Sequence, residues 1–170
     1  RIIFGTRIAL IVGLGATGIA VTIGVLVGAT AGYFGGWVDN LLSRAVDTLM
    51  AFPTLVLLIA LTAVVGPSLR TVVIVIGATV WAQYARVVRA DTLSLRERDF
   101  TLAARVAGAT NTRIILRHLV PNVLGPVIVL ASLAVGGIII YESTLSFLGL
   151  GIQPPEPSWG GMLADGRAYI

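Results

Sequence analysis

The chain has 170 residues, of which 56% are hydrophobic and only 12% are charged, about half the charged fraction of a soluble domain, and this composition indicates an integral membrane protein. The absence of cysteine excludes disulfides and thiolate metal sites, and the single histidine excludes a multi-histidine metal cluster. All twelve basic residues are arginine, so the chain lacks the lysine of a P-loop, and any ATP that it uses must be bound by another protein.

The first apolar segment, 8–34, contains no charge and exceeds the ~20 residues that cross a membrane. Small residues recur along it at every fourth position and predict a seam along which another helix can approach closely. The seam consists of Ala16, Ala20, Gly24, Gly28 and Gly32. Glycine is frequent in membrane helices generally, so it is the strict spacing that favours a helix-packing seam.

The second apolar region is expected to be interrupted. A turn is predicted at 35–37, followed by an amphipathic helix over 38–51. Three charged residues of that helix are spaced for pairing with one another: Asp39, Arg44 and Asp47. Pro53 should break the helix at Phe52, because proline cannot continue the hydrogen-bond ladder, and 54–65 then completes the crossing.

A turn at 66–68 leads into a third span over 69–88, with Trp81 and Tyr84 expected as aromatic anchors near its cytoplasmic end. The strongly charged segment 86–121 contains seven of the twelve arginines and three of the eight acidic residues. The positive-inside rule places it in the cytoplasm. Its arginines do not alternate with aromatic residues, so no nucleic-acid partner is expected.

Within the charged segment, the pattern predicts two short helices joined at a glycine. Asp99 is predicted to cap the first helix, which begins at Phe100, and Gly108 to end it in a left-handed conformation. Thr110 should cap the second helix, 111–119. This two-helix element, 99–120, looks like a docking element for a soluble partner.

Such an element could act as a lever on the membrane helices. Ala103 and Ala104 would keep one face of its first helix thin enough to enter a groove on another protein. Three arginines could pair with carboxylates around that groove: Arg105, Arg113 and Arg117. A stiff joint at Pro121 would pass a displacement into the next span. The alternative is a solvated amphipathic loop that only covers the helix bundle.

The fourth span is predicted over 121–147, with Pro121 at its first position and Val120 held out of the helical region. An acidic residue inside a membrane is a functional-site hypothesis by default, and Glu142 is such a residue. The alternative is a carboxyl near the outer surface that is hydrated or paired within its helix.

The Gly/Pro-rich tail, 148–170, is expected to form an ordered loop with a short helix near 159–165. Alternation of the spans places this tail and the turn at 66–70 outside the cell, opposite the charged segment. Trp159 would then contact a receptor, form part of an outer gate, or act only as an interfacial anchor.

The passage AARVAGATNTRIILRHLVPN resembles the cytoplasmic coupling-loop signature of binding-protein-dependent ABC importer permeases, EAA-x3-G-x9-I-x-L-P. Four residues match at the signature spacing: Ala103, Ala104, Gly108 and Pro121. Three positions depart from it, since Leu102 replaces the glutamate, His118 the isoleucine and Val120 the leucine. Without that glutamate, the resemblance implies docking through shape and Arg105.

A more specific likeness is to the second permease subunit of dipeptide, oligopeptide and nickel importers. That group characteristically contains five sequence motifs: GYFGGWVD, AFP, Arg-x-x-Arg, a motif similar to RHLVPN, and LSFLGLGxxPPxPSWGxML. These features occur here at 32–39, 51–53, 86–89, 117–122 and 145–163, so the likeness covers essentially the whole chain.

The resemblance implies an all-α fold, the polytopic transmembrane helix bundle of type I ABC importer permeases, with about four spans and a cytoplasmic helix–Gly–helix coupling loop within 89–121. A single permease domain is expected over 1–170, truncated at both ends, since the family has a further span on each side. The expected location is the bacterial or archaeal cytoplasmic membrane.

The resemblance also implies partners: a second homologous permease subunit, cytoplasmic ABC ATPase subunits and an extracytoplasmic solute-binding protein, all at a lipid bilayer. No cofactor is expected on this chain, because ATP and magnesium would be held by the ATPase subunits, and the chain itself is expected not to be an enzyme. The cargo would be di- or oligopeptides or nickel chelates; glutathione-like compounds and antimicrobial peptides also fit.

Two other functions stay open. A channel or structural membrane subunit would work without ATP and would not copurify with an ATPase. A membrane-embedded hydrolase would need paired acids, a Ser/His pair or metal ligands within its spans. The lone His118 and the isolated Asp47 and Glu142 do not provide these groups.

Overall fold

A computed structural model gives the structure of residues 1–167. Within that range the regular structure is helical, without a strand, and the expected all-α fold is confirmed. The α-helices are α1 (Ile2–Phe34), α2 (Gly36–Ala51), α3 (Thr54–Val65), α4 (Leu69–Leu95), α5 (Asp99–Val106), α6 (Asn111–Ile114), α7 (Val120–Phe147) and α8 (Trp159–Gly166). A π-helical segment, Ile115–Leu119, joins α6 to α7.

Three helices in the described part of the chain are long and apolar enough to cross a membrane: α1, α4 and the continuous helix Asn111–Phe147, which contains α6, the π segment and α7. The pair α2 and α3 makes a fourth span if the two count as one, in agreement with the number predicted. They separate at Phe52 and Pro53 and are bent by 89°, so the predicted proline break is confirmed.

The third span ends later than predicted. α4 continues past Val88 to Leu95, because the arginine, alanine and leucine residues that open the charged segment are good helix formers. Tyr84 is only 1% exposed, so its predicted role as an interfacial anchor is wrong. Its side chain packs instead against α1, beside Gly24.

Pro121 does not begin a new helix. Val120 has helical backbone angles (φ −53°, ψ −48°), so the predicted break before the proline is wrong. The Val120 N–H bonds to the carbonyl of Ile115, five residues back, and this wider π turn relieves the clash that a proline ring makes in a regular α-helix. Asn122 Nδ2 donates to the His118 carbonyl at 2.6 Å, next to the proline that has no donor.

The described chain divides into two compact units. The first comprises Arg1–Ala20, Phe52–Val80 and the residues from Ser132 onward. The second comprises Val21–Ala51 and Trp81–Ala131, and therefore contains the whole charged segment. Two buried clusters form part of its core: one of Tyr33, Ile114 and Leu119, the other of Val46, Ala82 and Ala85.

Candidate docking site in the charged segment

The first helix of the two-helix element begins at Asp99 rather than after it. Arg98 precedes the helix and makes no side-chain cap, so the predicted Asp99 cap is wrong. Asp99 lies in the first turn, where a negative charge suits the helix dipole. The helix is fastened by Thr101, which is fully buried and donates its hydroxyl to the Leu95 carbonyl at 2.8 Å.

The joint between α5 and α6 has the predicted conformation. Gly108 has φ +79°, in the left-handed region that favours glycine, and the Ala109 N–H bonds to the Ala104 carbonyl at 3.0 Å. Thr110 Oγ1 accepts from the Arg113 N–H at 3.4 Å. The predicted helix end and the predicted cap of α6 are therefore confirmed.

One side of the element is buried within the second unit. Ile114, Leu119 and Tyr33 form an apolar cluster there, and Ala104 packs against it. Ala103 is exposed. The prediction that both alanines share one free face is wrong, because adjacent residues of an α-helix point about 100° apart.

The side of α5 turned away from Thr101 and Ala104 is apolar and exposed. Its members, here called the α5 face, are Phe100, Leu102, Ala103, Val106 and Ala107. Val106 is 90% exposed. A contiguous apolar surface on a short helix outside the membrane spans indicates a contact site for another protein.

Three arginines belong to the same two-helix element as the α5 face. The guanidinium carbon of Arg105 lies 5.6 Å from the centre of the Tyr33 ring, within the range of a cation–π contact. Arg113 and Arg117 are exposed on the following helix. Among the described residues no carboxylate forms an ion pair with these three arginines, so their charges are available to acidic groups of a partner.

The position of Leu102 shows what the departure from the coupling-loop signature changes. Leu102 lines a polar cleft of about 410 Å³ together with Arg96 and Arg105. A glutamate at this position would add a negative charge to the cleft that these two arginines line. Arg96 instead pairs with Glu97 at 3.1 Å, and position 102 contributes an apolar side chain to the α5 face.

The glycine seam lies against α4. Cβ atoms placed on Gly24, Gly28 and Gly32 would lie 2.5–2.7 Å from atoms of that helix, including the carbonyl oxygen of Ala85. The two backbones are therefore as close as glycine permits. The two alanines of the seam are fully buried.

Two ion pairs join α2 to α4, and the sequence reasoning missed them. Arg89 Nη2 donates to Asp39 Oδ2 at 2.6 Å, with a second bond from Nε to Oδ1, and Arg86 Nη2 donates to Asp47 Oδ1 at 2.8 Å. The predicted pairing of these acids with Arg44 inside α2 is therefore wrong. The available signal was the spacing: both acids share a face of α2, and both arginines lie within one turn of α4.

Glu142 is buried, with 1% of its surface exposed, so the hydrated alternative is wrong and the helix-paired alternative holds. Ser146 Oγ donates to Glu142 Oε1 at 2.7 Å and accepts from the Ile152 N–H at 3.1 Å. The carboxyl, the serine and the loop after α7 thus form one network. Sequence reasoning did not single out Ser146, although it lies one helical turn after Glu142.

The predicted short helix in the tail is confirmed as α8. Ser158 caps it by accepting from the Gly161 N–H at 3.0 Å. Trp159 Nε1 donates to the Ile2 carbonyl at 3.2 Å. A gate or receptor contact for Trp159 stays a prediction.

Across residues 1–167, no group of three or more His, Asp or Glu side chains could hold a metal ion.

Comparison with known proteins finds similarity to transport permeases. Residues 20–170 match the family model described as a binding-protein-dependent transport system inner membrane component. The chain is 45% identical over 170 residues to the dipeptide transport system permease protein DppC of Alkalihalophilus pseudofirmus, and 48% identical over 170 residues to the oligopeptide transport system permease protein OppC of Haemophilus influenzae. It is 39% identical over 170 residues to the nickel transport system permease protein NikC of Escherichia coli.

Each of these three alignments covers the whole of this chain, but only 56%, 55% and 61% of the respective relative. The chain therefore spans a little over half the length of the curated relatives that it matches.

Proposed function

Because this chain belongs to the family of binding-protein-dependent transport system inner membrane components, we propose that it is a transmembrane permease subunit of an ATP-driven ABC importer. The observation that carries the proposal is the two-helix element. Its apolar α5 face and three arginines without carboxylate partners among the described residues are attached to a long apolar helix without interruption.

The proposed partners follow from what this chain lacks. With no lysine it has no P-loop, so ATP and magnesium are bound and hydrolysed by cytoplasmic ABC ATPase subunits that dock on the α5 face. A second, homologous permease subunit completes the translocation path, and an extracytoplasmic solute-binding protein delivers the cargo. The assembly works in the cytoplasmic membrane, and this chain contributes no catalytic group.

The proposed cargo is a di- or oligopeptide. Two of the relatives named above carry dipeptide or oligopeptide transport in their names, and the third carries nickel transport. Nickel chelates are therefore the second candidate. Transport assays with the complete transporter and its solute-binding protein separate the two, because each cargo competes only with its own class for the receptor.

The proposed mechanism is alternating access driven from outside this chain. ATP-dependent closure of the ATPase subunits displaces α5 and α6, and the helix from Asn111 to Phe147 carries that displacement into the membrane without a break. Only a contact that differs between two states can shift their populations. The docked α5 face supplies that difference.

Gly108 offers the test. Its φ of +79° cannot be adopted by proline, whose φ is fixed near −65°. Gly108→Pro should therefore abolish uptake while the chain still inserts, whereas Gly108→Asn, which tolerates the left-handed region, should retain most uptake. Copurification of an ATPase with the unmodified chain separates an importer from a channel. Normal uptake by Gly108→Pro, or no ATPase partner, would refute the proposal.

A further inference from the structure

The two-helix element is attached to the membrane helices at three places, and two of them are covalent. The first two are the chain connections at its ends, from α4 through residues 96–98 into α5 and from α6 without interruption into α7. The third, which is not covalent, is Tyr33, the next-to-last residue of α1. Tyr33 contacts both helices of the element, although it lies far from them in the chain.

Three separate contacts hold Tyr33 to the element. Its hydroxyl donates to Oδ1 of Asn111 at 2.8 Å, and Asn111 is the first residue of α6. Its ring belongs to the buried cluster with Ile114 and Leu119. The Arg105 guanidinium of α5 lies over the same ring at 5.6 Å. Since the side chain is only 7% exposed, it cannot leave one contact without disturbing the others.

The end of α1 is in turn fixed to α4. A Cβ on Gly32, the residue before Tyr33, would lie 2.7 Å from the Thr92 Cβ. Arg96 Nη1 donates to the Gly32 carbonyl at 3.2 Å. The backbone beside Tyr33 has therefore no room to move separately from α4.

We propose that Tyr33 is a positioning residue that transmits displacement of the docked element to α1, and through the packing at Gly32 to α4. The movement then reaches α1, which has no direct chain connection to the element, as well as α4 and α7. This inference rests on the proposed function, because it assumes that an ATPase moves the element.

The test measures peptide transported per ATP hydrolysed in the complete transporter, reconstituted in proteoliposomes with a labelled tripeptide. Tyr33→Phe keeps the ring and removes the hydroxyl, and Asn111→Leu removes its acceptor. Each should lower the ratio about two- to tenfold, the range that one hydrogen bond is worth. The double variant should be no worse than either single variant, since both remove the same bond.

A merely structural role would lower uptake and ATP hydrolysis together and leave their ratio unchanged. Asn111→Asp keeps an acceptor oxygen for the phenol and should retain the normal ratio. Thr112→Leu, at the neighbouring exposed position, is the matched control for an added apolar side chain and should also retain it.

Unchanged ratios in Tyr33→Phe and Asn111→Leu would overturn the inference, and so would a loss in Asn111→Asp equal to that in Asn111→Leu. In either case receptor-stimulated ATP hydrolysis by the unmodified transporter would leave the proposed function intact. If the receptor did not stimulate ATP hydrolysis, that result would contradict the proposed importer function and therefore also the proposed role of Tyr33.

Discussion

Asp39 and Arg89 lie 50 positions apart and form an ion pair with two hydrogen bonds between α2 and α4. The Asp39 side chain is only 14% exposed, so both charges are partly removed from water. Separating them leaves a poorly hydrated charge without a partner. The pair therefore fixes α2, which precedes Pro53, to the carboxyl-terminal part of α4.

Asp39→Asn should lower the free energy of unfolding by about 1.5–3 kcal/mol, the range for a hydrogen bond to a charged group. Denaturant unfolding of the purified protein in detergent measures the change. The control is Asp47→Asn, whose pair with Arg86 is mostly exposed, at 67% and 55%. Its loss should be about 0.5 kcal/mol or less. Equal losses in the two variants would contradict the proposed difference.

Gly28→Ala should destabilise the protein, because the added Cβ would lie 2.5 Å from the Ala85 carbonyl oxygen and 2.8 Å from the Val88 Cβ. Backbone atoms cannot yield without separating α1 from α4. At Gly136, a Cβ would meet no described atom within 4 Å. Gly136→Ala should therefore be neutral or stabilise by up to ~1 kcal/mol through helix propensity. Thermal unfolding in detergent measures the stability of both variants. Unchanged stability of Gly28→Ala would contradict close backbone packing between α1 and α4.

The two adjacent alanines of α5 should respond differently to the same substitution. Ala103→Trp adds bulk to the exposed α5 face, so it should weaken ATPase binding without changing the thermal stability of the chain. Ala104→Trp adds bulk where the residue packs against the Tyr33 cluster, so it should lower stability by about 1–3 kcal/mol. Copurification and thermal unfolding are measured on both variants. ATPase binding that survives Ala103→Trp would show that another surface docks.

Ser146→Ala should detach the loop after α7, because it leaves Glu142 Oε1 and the Ile152 N–H without their shared partner. Each buried polar group left unpaired costs about 1–3 kcal/mol. Thr144→Ala is the matched control, since its hydroxyl only donates to the Ile140 carbonyl in the same helix. Limited proteolysis after Phe147 should increase for Ser146→Ala alone. Equal cleavage in both variants would show that the Ser146 hydrogen bonds do not hold this loop in place.

Local signals predicted the helix order of this chain well. Pro53, Gly108 and the cap at Thr110 each act through the backbone of their own neighbourhood, so reading the sequence placed the breaks correctly. The Asp99 cap and the end of the third span were misplaced, and so was the break at Pro121. Its effect depends on a π turn that begins several residues earlier, and the sequence rules assume a regular helix.

The side-chain partners were predicted poorly, because they come from distant parts of the chain. Asp39 and Asp47 pair with arginines of α4 rather than with Arg44, and Ala104 points inward rather than outward. Tyr33 drew no attention in the sequence, since a tyrosine at a helix end usually serves as an interfacial anchor. Its contacts with α5 and α6 exist only in the folded chain.

Docking at the α5 face is tested by the accessibility of Ala103→Cys from either side of the membrane. The chain has no other cysteine, so a membrane-impermeant maleimide reports on this position alone. We expect no labelling in intact cells, labelling in inside-out vesicles stripped of peripheral proteins, and protection when purified ATPase subunits are added back. Labelling from the outside of intact cells, or full labelling in the presence of bound ATPase, would contradict docking at the α5 face.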